Sequence, residues 1–229
     1  LVEQCAPTRQ QLYTGMFPVR SGAYPQAGFV YPGTRSIAHH LKDAGYRLGL
    51  VGKTHYGPAE SYPFDFVGTD PNIPREEGGN RVQIGEDRIA DFVNASSDQP
   101  YCLIVASDNP HLPYSSGQQE AYDPETLTLP PYLIDTPETR RRLAKYYAEI
   151  TALDVELGMC MDFVEASAQA EDTLLMFSSE QGSAFPFGGK WSCYENGLHT
   201  GLIARWPGRI EPGSTSNAMV QYVDIVPTL

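Results

Sequence analysis

Four short apolar runs set the limits on what this chain can fold into. They are Leu48-Gly49-Leu50-Val51, Cys102-Leu103-Ile104-Val105-Ala106, Thr173-Leu174-Leu175-Met176-Phe177 and Leu202-Ile203-Ala204. Each is apolar on both faces and bounded by turn or polar residues, the pattern of a strand in a covered, largely parallel sheet. Helical patterns alternate with them. Thr34 to Ala44 is one, with Gly45 as its C-cap, and Asp87 to Asn94 is another. The longest runs from about Thr136 to Ala168. Thr136-Pro137-Glu138-Thr139 opens it with an N-cap, a proline at N1 and an early acid. Leu143, Tyr146, Tyr147, Ile150, Leu153, Leu157, Met161 and Val164 then recur every three or four residues, which predicts a packing stripe. Alternating strands and helices predict an α/β layered fold with a largely parallel central sheet flanked by helices.

The chain has 229 residues, enough for one large domain or two small ones with a core that needs no disulfides. Its 21 glycines and 19 prolines predict many turns and long ordered loops. Two such loops stand out, from Tyr56 to Gly85 and from Ser107 to Pro131, and loops of that length often carry function. Charged residues make up 19%, too few for a disordered chain. The net charge of −12 argues against a broad nucleic-acid surface. It leaves room for a small anion held in a local basic pocket. No apolar run approaches the roughly 18 residues of a membrane span. The four cysteines form no CxxC pair and no zinc-finger spacing, and Cys102 and Cys160 read as core residues. The chain starts at Leu1 without Met, and Val220 to Leu229 reads as an element cut short. The expectation is an internal fragment of a longer protein, with any targeting signal outside it.

The unusual polar groups follow directly on the apolar runs. The first leads into Gly52-Lys53-Thr54-His55, the second into Ser107-Asp108-Asn109-Pro110-His111 and the third into Ser178-Ser179-Glu180-Gln181-Gly182. Ligands of open α/β sheets bind beyond the carboxyl ends of the strands. Lys53 and His55 are two apart, so an extended backbone points both to one side. Cys5-Ala6-Pro7-Thr8-Arg9 precedes a short helical stretch, Gln10 to Thr14, closed by Gly15. That sets Cys5 near a helix N-terminus, where backbone N–H groups favour an anion. Taken singly, each group has a plain structural reading: an inert thiol, a solvated strand end, a turn histidine, an ordinary acidic loop. Their conjunction points to a site.

That conjunction resembles the type I sulfatases of the alkaline-phosphatase-like superfamily. Cys5-Ala6-Pro7-Thr8-Arg9 with Leu12-Tyr13-Thr14-Gly15 resembles the signature C-x-P-S/T-R-x-x-L-x-T-G, with Thr8 in place of the commoner Ser. Gly45-Tyr46 through Gly52-Lys53-Thr54-His55 resembles A-G-Y…G-K-x-H, and Asn109-Pro110-His111-Leu112-Pro113 resembles the P-H-x-P loop. Ser179-Glu180-Gln181-Gly182 stands where the family has S-D-N/H-G. Gly189-Lys190-Trp191 with Tyr194-Glu195-Asn196-Gly197 resembles G-K-x…Y-E-x-G, and Arg205-Trp206-Pro207-Gly208 resembles R-W-P-G. Gly52 to Gly57 with Tyr62-Pro63-Phe64-Asp65-Phe66, and Ala121-Tyr122-Asp123-Pro124, are similar to the heparan N-sulfatase branch. The six ordered matches span nearly the whole chain.

The resemblance implies an incomplete sulfatase catalytic domain over residues 1–229. It implies hydrolysis of a sulfate ester or sulfamate on a carbohydrate or glycosaminoglycan. Cys5 would be converted to formylglycine by a formylglycine-generating enzyme. Its hydrate attacks sulfur, and the resulting intermediate cleaves itself when the second hydroxyl loses its proton. Arg9 would hold the diol, and Lys53 and Lys190 would neutralise sulfate oxygens. His55 would act as base and His111 as acid toward the leaving group. Lys53, His111, Lys190 and His199 would contact substrate. Cys5 in its modified form, Glu180 and Gln181 would bind a hard cation, Ca²⁺. The implied compartment is extracellular, periplasmic or lysosomal.

Two departures bear on that assignment. Glu180 and Gln181 are each one methylene longer than the family's Asp and Asn or His. The family also takes two Asp ligands from a strand upstream of its cysteine motif. The chain begins after that point, so the expectation is weak cation binding by these residues alone. A phosphonate monoester or phosphodiester hydrolase of the same superfamily is the alternative enzyme, and a catalytically inactive sulfated-glycan-binding relative is the alternative outside catalysis. His39, His40, Asp154 and Cys193 read as structural or solvated, while Trp191 and Tyr194 could line a sugar subsite.

Overall fold

A computed structural model describes residues 4–68, 84, 86–94 and 99–229. In chain order its elements are α1 (Cys5–Thr14), α2 (Pro18–Ser21), α3 (Ile37–Asp43), β1 (Arg47–Gly52), β2 (Phe66–Gly68), α4 (Glu86–Asn94), β3 (Tyr101–Ala106), α5 (Pro137–Ala166), β4 (Leu175–Ser178), α6 (Glu195–Leu198), β5 (Leu202–Arg205) and α7 (Ile225–Thr228). They form two compact units. The first takes the chain up to Asp108 with Trp191–Cys193 and Met219–Leu229; the second takes Asn109–Lys190 and Tyr194–Ala218. Most of the expected loop from Tyr56 to Gly85 lies outside the described residues.

The first unit is built on a parallel sheet in the order β2-β1-β3. β1 is the central strand and is buried from Leu48 to Gly52. Gly49 is required there because a Cβ would lie 2.7 Å from the Phe92 ring of α4. Tyr13, Val30, Ile37, Leu50 and Tyr62 form the core around the other side chains of this unit. Gln10, fully buried on α1, ties loops to that core. Its Nε2 donates to Gly28 O at 2.9 Å, and its Oε1 accepts from Val30 N at 3.2 Å and from the Tyr62 hydroxyl at 3.3 Å. α1 starts on Cys5 itself, five residues before the expected stretch, and ends as expected at Gly15 with φ 64°. The expected helix from Thr34 shortens to α3, capped by Ser36 and His39, which gives His39 its structural role. Ala44 is the cap residue and Gly45 follows in the left-handed region at φ 87°.

β2 was not visible as an apolar run because it has three residues and follows Pro63. Its register is set from outside: Asp65 Oδ2 accepts from Leu48 N at 2.8 Å, just before Phe66 pairs with Gly49.

The second unit departs further from expectation. Among the described residues β4 and β5 do not join a parallel sheet; they pair with each other, antiparallel, with Leu175 opposite Arg205 and Ser178 opposite Leu202. Nor is β5 covered, since Ile203 is 64% exposed. A short apolar run carries no information about strand direction or partner, which is why the expectation failed. α5 forms as expected, with Thr136 accepting from Thr139 N at 3.1 Å and Pro137 at N1, and it stops at Ala166. Of its expected stripe, Leu143 is buried and Tyr146, Tyr147, Leu153, Leu157, Met161 and Val164 are half-buried, while Ile150 is exposed. The buried face also takes in Ala144, Ala148 and Glu149. A Cβ on Gly117 would lie 2.2 Å from Ala148 O, so the incoming loop lies directly on the helix at its small residues.

Candidate active site

In the first unit the cluster starts from the geometry of two strand ends. Gly52 closes β1 with φ 97°, and a Cβ there would sit 2.4 Å from Ala106 O. Only glycine permits this approach. It lets Lys53 N donate to Ala106 O at 2.8 Å and turns the lysine inward. The Lys53 ammonium pairs with Asp108 Oδ1 at 2.6 Å, both side chains being nearly fully buried. Lys53 Nζ also lies 3.9 Å from Cys5 Sγ. Cys5 is 1% exposed at the first position of α1. Arg9, one turn further along, donates from Nη1 to Lys53 O at 3.2 Å. Cys5, Arg9 and Lys53, expected to act together, therefore meet through Lys53, whose ammonium is paired with the buried Asp108 carboxylate.

Asp108 is the functional candidate that sequence reasoning passed over. Its position just beyond β3, in a segment already singled out, was the signal. His55 departs from expectation: with φ 49° the backbone is left-handed, so the extended geometry that would align it with Lys53 does not form. Its Nδ1 is buried and has no hydrogen-bond partner among the described residues.

In the second unit the loop bearing His111 is fastened to α5. Glu149 is fully buried and accepts from three backbone groups: His111 N at 2.9 Å, Ser115 N at 2.7 Å and Ser116 N at 3.1 Å. Two turns on, Glu156 Oε1 accepts from Asn109 Nδ2 at 3.2 Å, and Asn109 Oδ1 accepts from Ser116 Oγ at 2.6 Å. Neither glutamate was singled out beforehand, because both lie in a helix read for its apolar stripe. The His111 tautomer follows from its partners. Leu112 O, 2.7 Å from Nδ1, can only accept, so Nδ1 carries the proton. Nε2 then accepts from Lys190 Nζ at 3.3 Å.

Lys190 is placed by glycines on its own strand of chain. Gly189 has φ 104°, and a Cβ there would lie 2.2 Å from Gly197 N. Lys190 N donates to Ser183 O at 3.1 Å. His199, expected to touch substrate, is 80% exposed and pairs with Glu195 at 3.3 Å. Trp191 and Tyr194 are exposed. Cys102 and Cys160 are only partly exposed, and burial pushes each thiol up to about 11.

Glu180 and Gln181 were the expected cation ligands beside modified Cys5. Their Oε1 atoms are buried, and Gln181 Nε2 donates to Glu180 Oε2 at 3.2 Å. Oxygen donors suit a hard cation, but Ca²⁺ takes six to eight of them. Among the described residues no group of three or more His, Cys, Asp or Glu side chains gathers to hold a metal. The pair fits in donor type and falls short in number.

An α/β protein with a parallel sheet, a buried cysteine at a helix start and lysines set by glycine turns defines the class: an alkaline-phosphatase-like fold. The sulfatase family model matches residues 2–229, and the chain belongs to the sulfatase family. It is 28% identical over 274 residues to the human N-sulphoglucosamine sulphohydrolase, covering 100% of this chain and 51% of that protein. It is 30% identical over 229 residues to an ulvan-active sulfatase of Formosa agariphila, covering 98% of this chain and 43% of the relative. The chain thus spans about half the length of the curated relatives it matches. A solved structure described as a complex with its substrate D-glucosamine-2-N,6-O-disulfate superposes with a TM-score of 0.74 at 19% identity. That match covers 97% of this chain and 65% of the other, and it establishes likeness of fold.

Proposed function

We propose that residues 1–229 form part of the catalytic domain of a formylglycine-dependent sulfatase that hydrolyses a sulfate ester or sulfamate on a carbohydrate. The observation that carries the reading is the first-unit cluster: a buried cysteine at a helix start, with a lysine ammonium 3.9 Å from its sulfur and an arginine one turn away. Oxidised to formylglycine, Cys5 supplies a hydrated aldehyde, one hydroxyl for attack on sulfur and the other for expulsion of sulfate by C–O cleavage. Cys5 is so thoroughly buried that the formylglycine-generating enzyme must reach it before α1 packs.

The chain's own residues then divide the work. Arg9 and Lys53 bring two positive charges to Asp108's one negative charge, a surplus of one cation, which suits a bound sulfate monoanion. Arg9 orients the nucleophile's oxygen, and His55 is the base that takes the proton from the second hydroxyl. Lys190 neutralises a sulfate oxygen. His111, once protonated from solvent at Nε2, is the acid that delivers that proton to the departing oxygen or nitrogen. Glu180 and Gln181 would hold a Ca²⁺ through their side-chain oxygens. The similarity to an N-sulphoglucosamine sulphohydrolase tilts the substrate toward N-sulfated glucosamine. A secreted, periplasmic or lysosomal setting goes with this reading. Among the described residues no helix is long and apolar enough to cross a membrane.

The test joins two measurements on the full-length protein from its native source. Mass spectrometry of the Cys5 peptide should find the loss that converts thiol to aldehyde. Matched N-sulfated and O-sulfated glycans should release sulfate, with Cys5→Ala inactive. An unmodified Cys5 in material that still releases sulfate overturns the mechanism, and a dominant phosphodiesterase rate overturns the substrate class.

A further inference from the structure

We infer that an exposed flank of α5, carrying Arg141, Arg142 and Lys145, is a docking surface for a polysulfated glycan chain, built from residues that take no part in the reaction. The inference rests on the carbohydrate reading above and adds a second place of attachment for the polymer. The surface lies wholly within the second unit. Four of the chain's 16 lysines and arginines fall in the six residues Arg140-Arg141-Arg142-Leu143-Ala144-Lys145, and there is no other between Arg88 and Lys190. Short basic runs of this kind mark surfaces for polyanions.

The charges nearby do not cancel. Arg140 is committed to the fold: it donates to both oxygens of Asp135, at 2.6 and 2.7 Å, and from Nη1 to Pro124 O, Glu125 O and Leu127 O. Arg141 donates to Glu138 at 2.9 Å, an exposed pair that water weakens. Arg142 borders Leu112 and Tyr114. Arg142 and Lys145 are exposed and form no ion pair among the described residues. The remaining acids are engaged or face elsewhere. Glu149 is buried under the His111 loop, and Glu156 accepts from Asn109. Glu120, Asp123 and Glu125 belong to a segment fastened at Arg140 and, through the Tyr122 hydroxyl, at Thr151. At 100° per residue that is the next flank round from Arg141 and Lys145. Glu195 shares a cavity with Leu143 and Tyr147, on the opposite flank, and pairs with His199. Asp154 and Glu165 fall on the far side of the helix from Lys145, and Asp162 lies about 25 Å along its axis. Glu138 alone opposes the three cations.

These cations do not serve the helix. Positive charge is unfavourable at a helix start and favourable at its end. Yet the last turn of α5 carries no base, and every charged residue in it after Lys145 is acidic. A bound anion relieves that cost. Arg141 and Lys145 stand about 6 Å apart along the axis, with Arg142 between them. Guanidiniums grip sulfate oxygens through paired N–H donors. One exposed cation holds a lone sulfate weakly in water, whereas a polymer bearing many sulfates engages all three and gains by avidity. Duplex nucleic acid fits worse, because three cations on a chain of net charge −12 make no broad basic surface. A lipid surface fits worse, because Glu138, Arg141, Arg142 and Lys145 include no apolar anchor.

The experiment uses the full-length protein and fluorescein-labelled heparin oligosaccharide, with binding read by fluorescence polarisation. The triple variant Arg141→Gln, Arg142→Gln, Lys145→Gln removes the charges and keeps good helix formers. It should raise the Kd about three- to thirtyfold and leave kcat/KM on a sulfated monosaccharide unchanged. Glu138→Gln removes the opposing acid and should tighten binding, so the sign of its effect tests the surface even if the triple variant unfolds. Equal Kd in wild type and triple variant, or weaker binding by Glu138→Gln, overturns the inference. So does a wild type that binds desulfated heparin, a DNA duplex or phosphatidylserine vesicles as tightly as heparin. Binding needs no turnover, which separates this inference from the sulfatase reading. Heparin binding that depends on the three cations supports the surface even if no sulfate is released. Sulfate release with heparin binding indifferent to them overturns the surface alone.

Discussion

Replacing Asp108 by Ala tests whether the Lys53–Asp108 pair organises the first cluster. The two charges are 2.6 Å apart and nearly inaccessible to water. Removing the carboxylate leaves the ammonium without its compensating anion in a place where hydration cannot replace it. Breaking a buried pair in this way costs about 3–5 kcal/mol, a large part of the roughly 5–15 kcal/mol that stabilises a domain. Removing both charges together, as Lys53→Met with Asp108→Leu, leaves no buried ion, and such exchanges are often neutral or stabilising. The double variant should therefore recover most of the loss seen in Asp108→Ala while releasing no sulfate. Urea unfolding of wild type, Lys53→Met, Asp108→Leu and the double variant gives the coupling from a thermodynamic cycle. A loss below about 1 kcal/mol in Asp108→Ala, or a double variant as unstable as the single, would refute the argument that burial makes this pair interdependent.

Three further outcomes follow from the same geometry. Glu149→Gln keeps one acceptor oxygen but sets an amide N–H₂ against a backbone N–H; it should cost about 1.5–3 kcal/mol in denaturant unfolding and lower kcat more than it changes KM by loosening the His111 loop. Gly52→Ala places a methyl 2.4 Å from Ala106 O at a left-handed φ; it should cost about 1–3 kcal/mol from backbone strain alone and cut activity by displacing Lys53, both read in one preparation by thermal unfolding and sulfate release. At pH 8, iodoacetamide should label exposed Cys193 first and leave Cys102 and Cys160 unlabelled in the native protein, because burial holds both thiols near 11; peptide mapping checks the order.

The central parallel pair was legible because β1 and β3 are apolar on both faces and are followed at once by polar residues. β4 and β5 carry the same kind of run, yet they pair antiparallel and leave Ile203 exposed. The run reports burial preference, while direction depends on the connecting chain. Cys5, Arg9 and Lys53 were legible through motif spacing. Asp108, Glu149 and Glu156 were not, for a common reason: each matters through what it accepts. A carboxylate beyond a strand or within a helix looks like surface until the groups donating to it are known. His55 shows a different error: the extended backbone expected of it is a left-handed one.

The acidic surplus of the chain takes on a different meaning in this light. With 28 acidic residues against 16 basic ones, a reader expects carboxylates to be solvated and the anion site to be an exception in a hostile field. Two buried acids do the opposite. Asp108 neutralises part of Lys53's charge and fixes where the remainder points. Glu149 draws in three backbone N–H groups and so sets the carrier loop of His111. Without such acids, cations crowded beside Cys5 would repel one another and swing toward water, since buried charges persist only when paired. Gly52 supplies the close backbone approach that lets Lys53 be held against Asp108, and Gly189 the approach beside which Lys190 reaches the His111 ring.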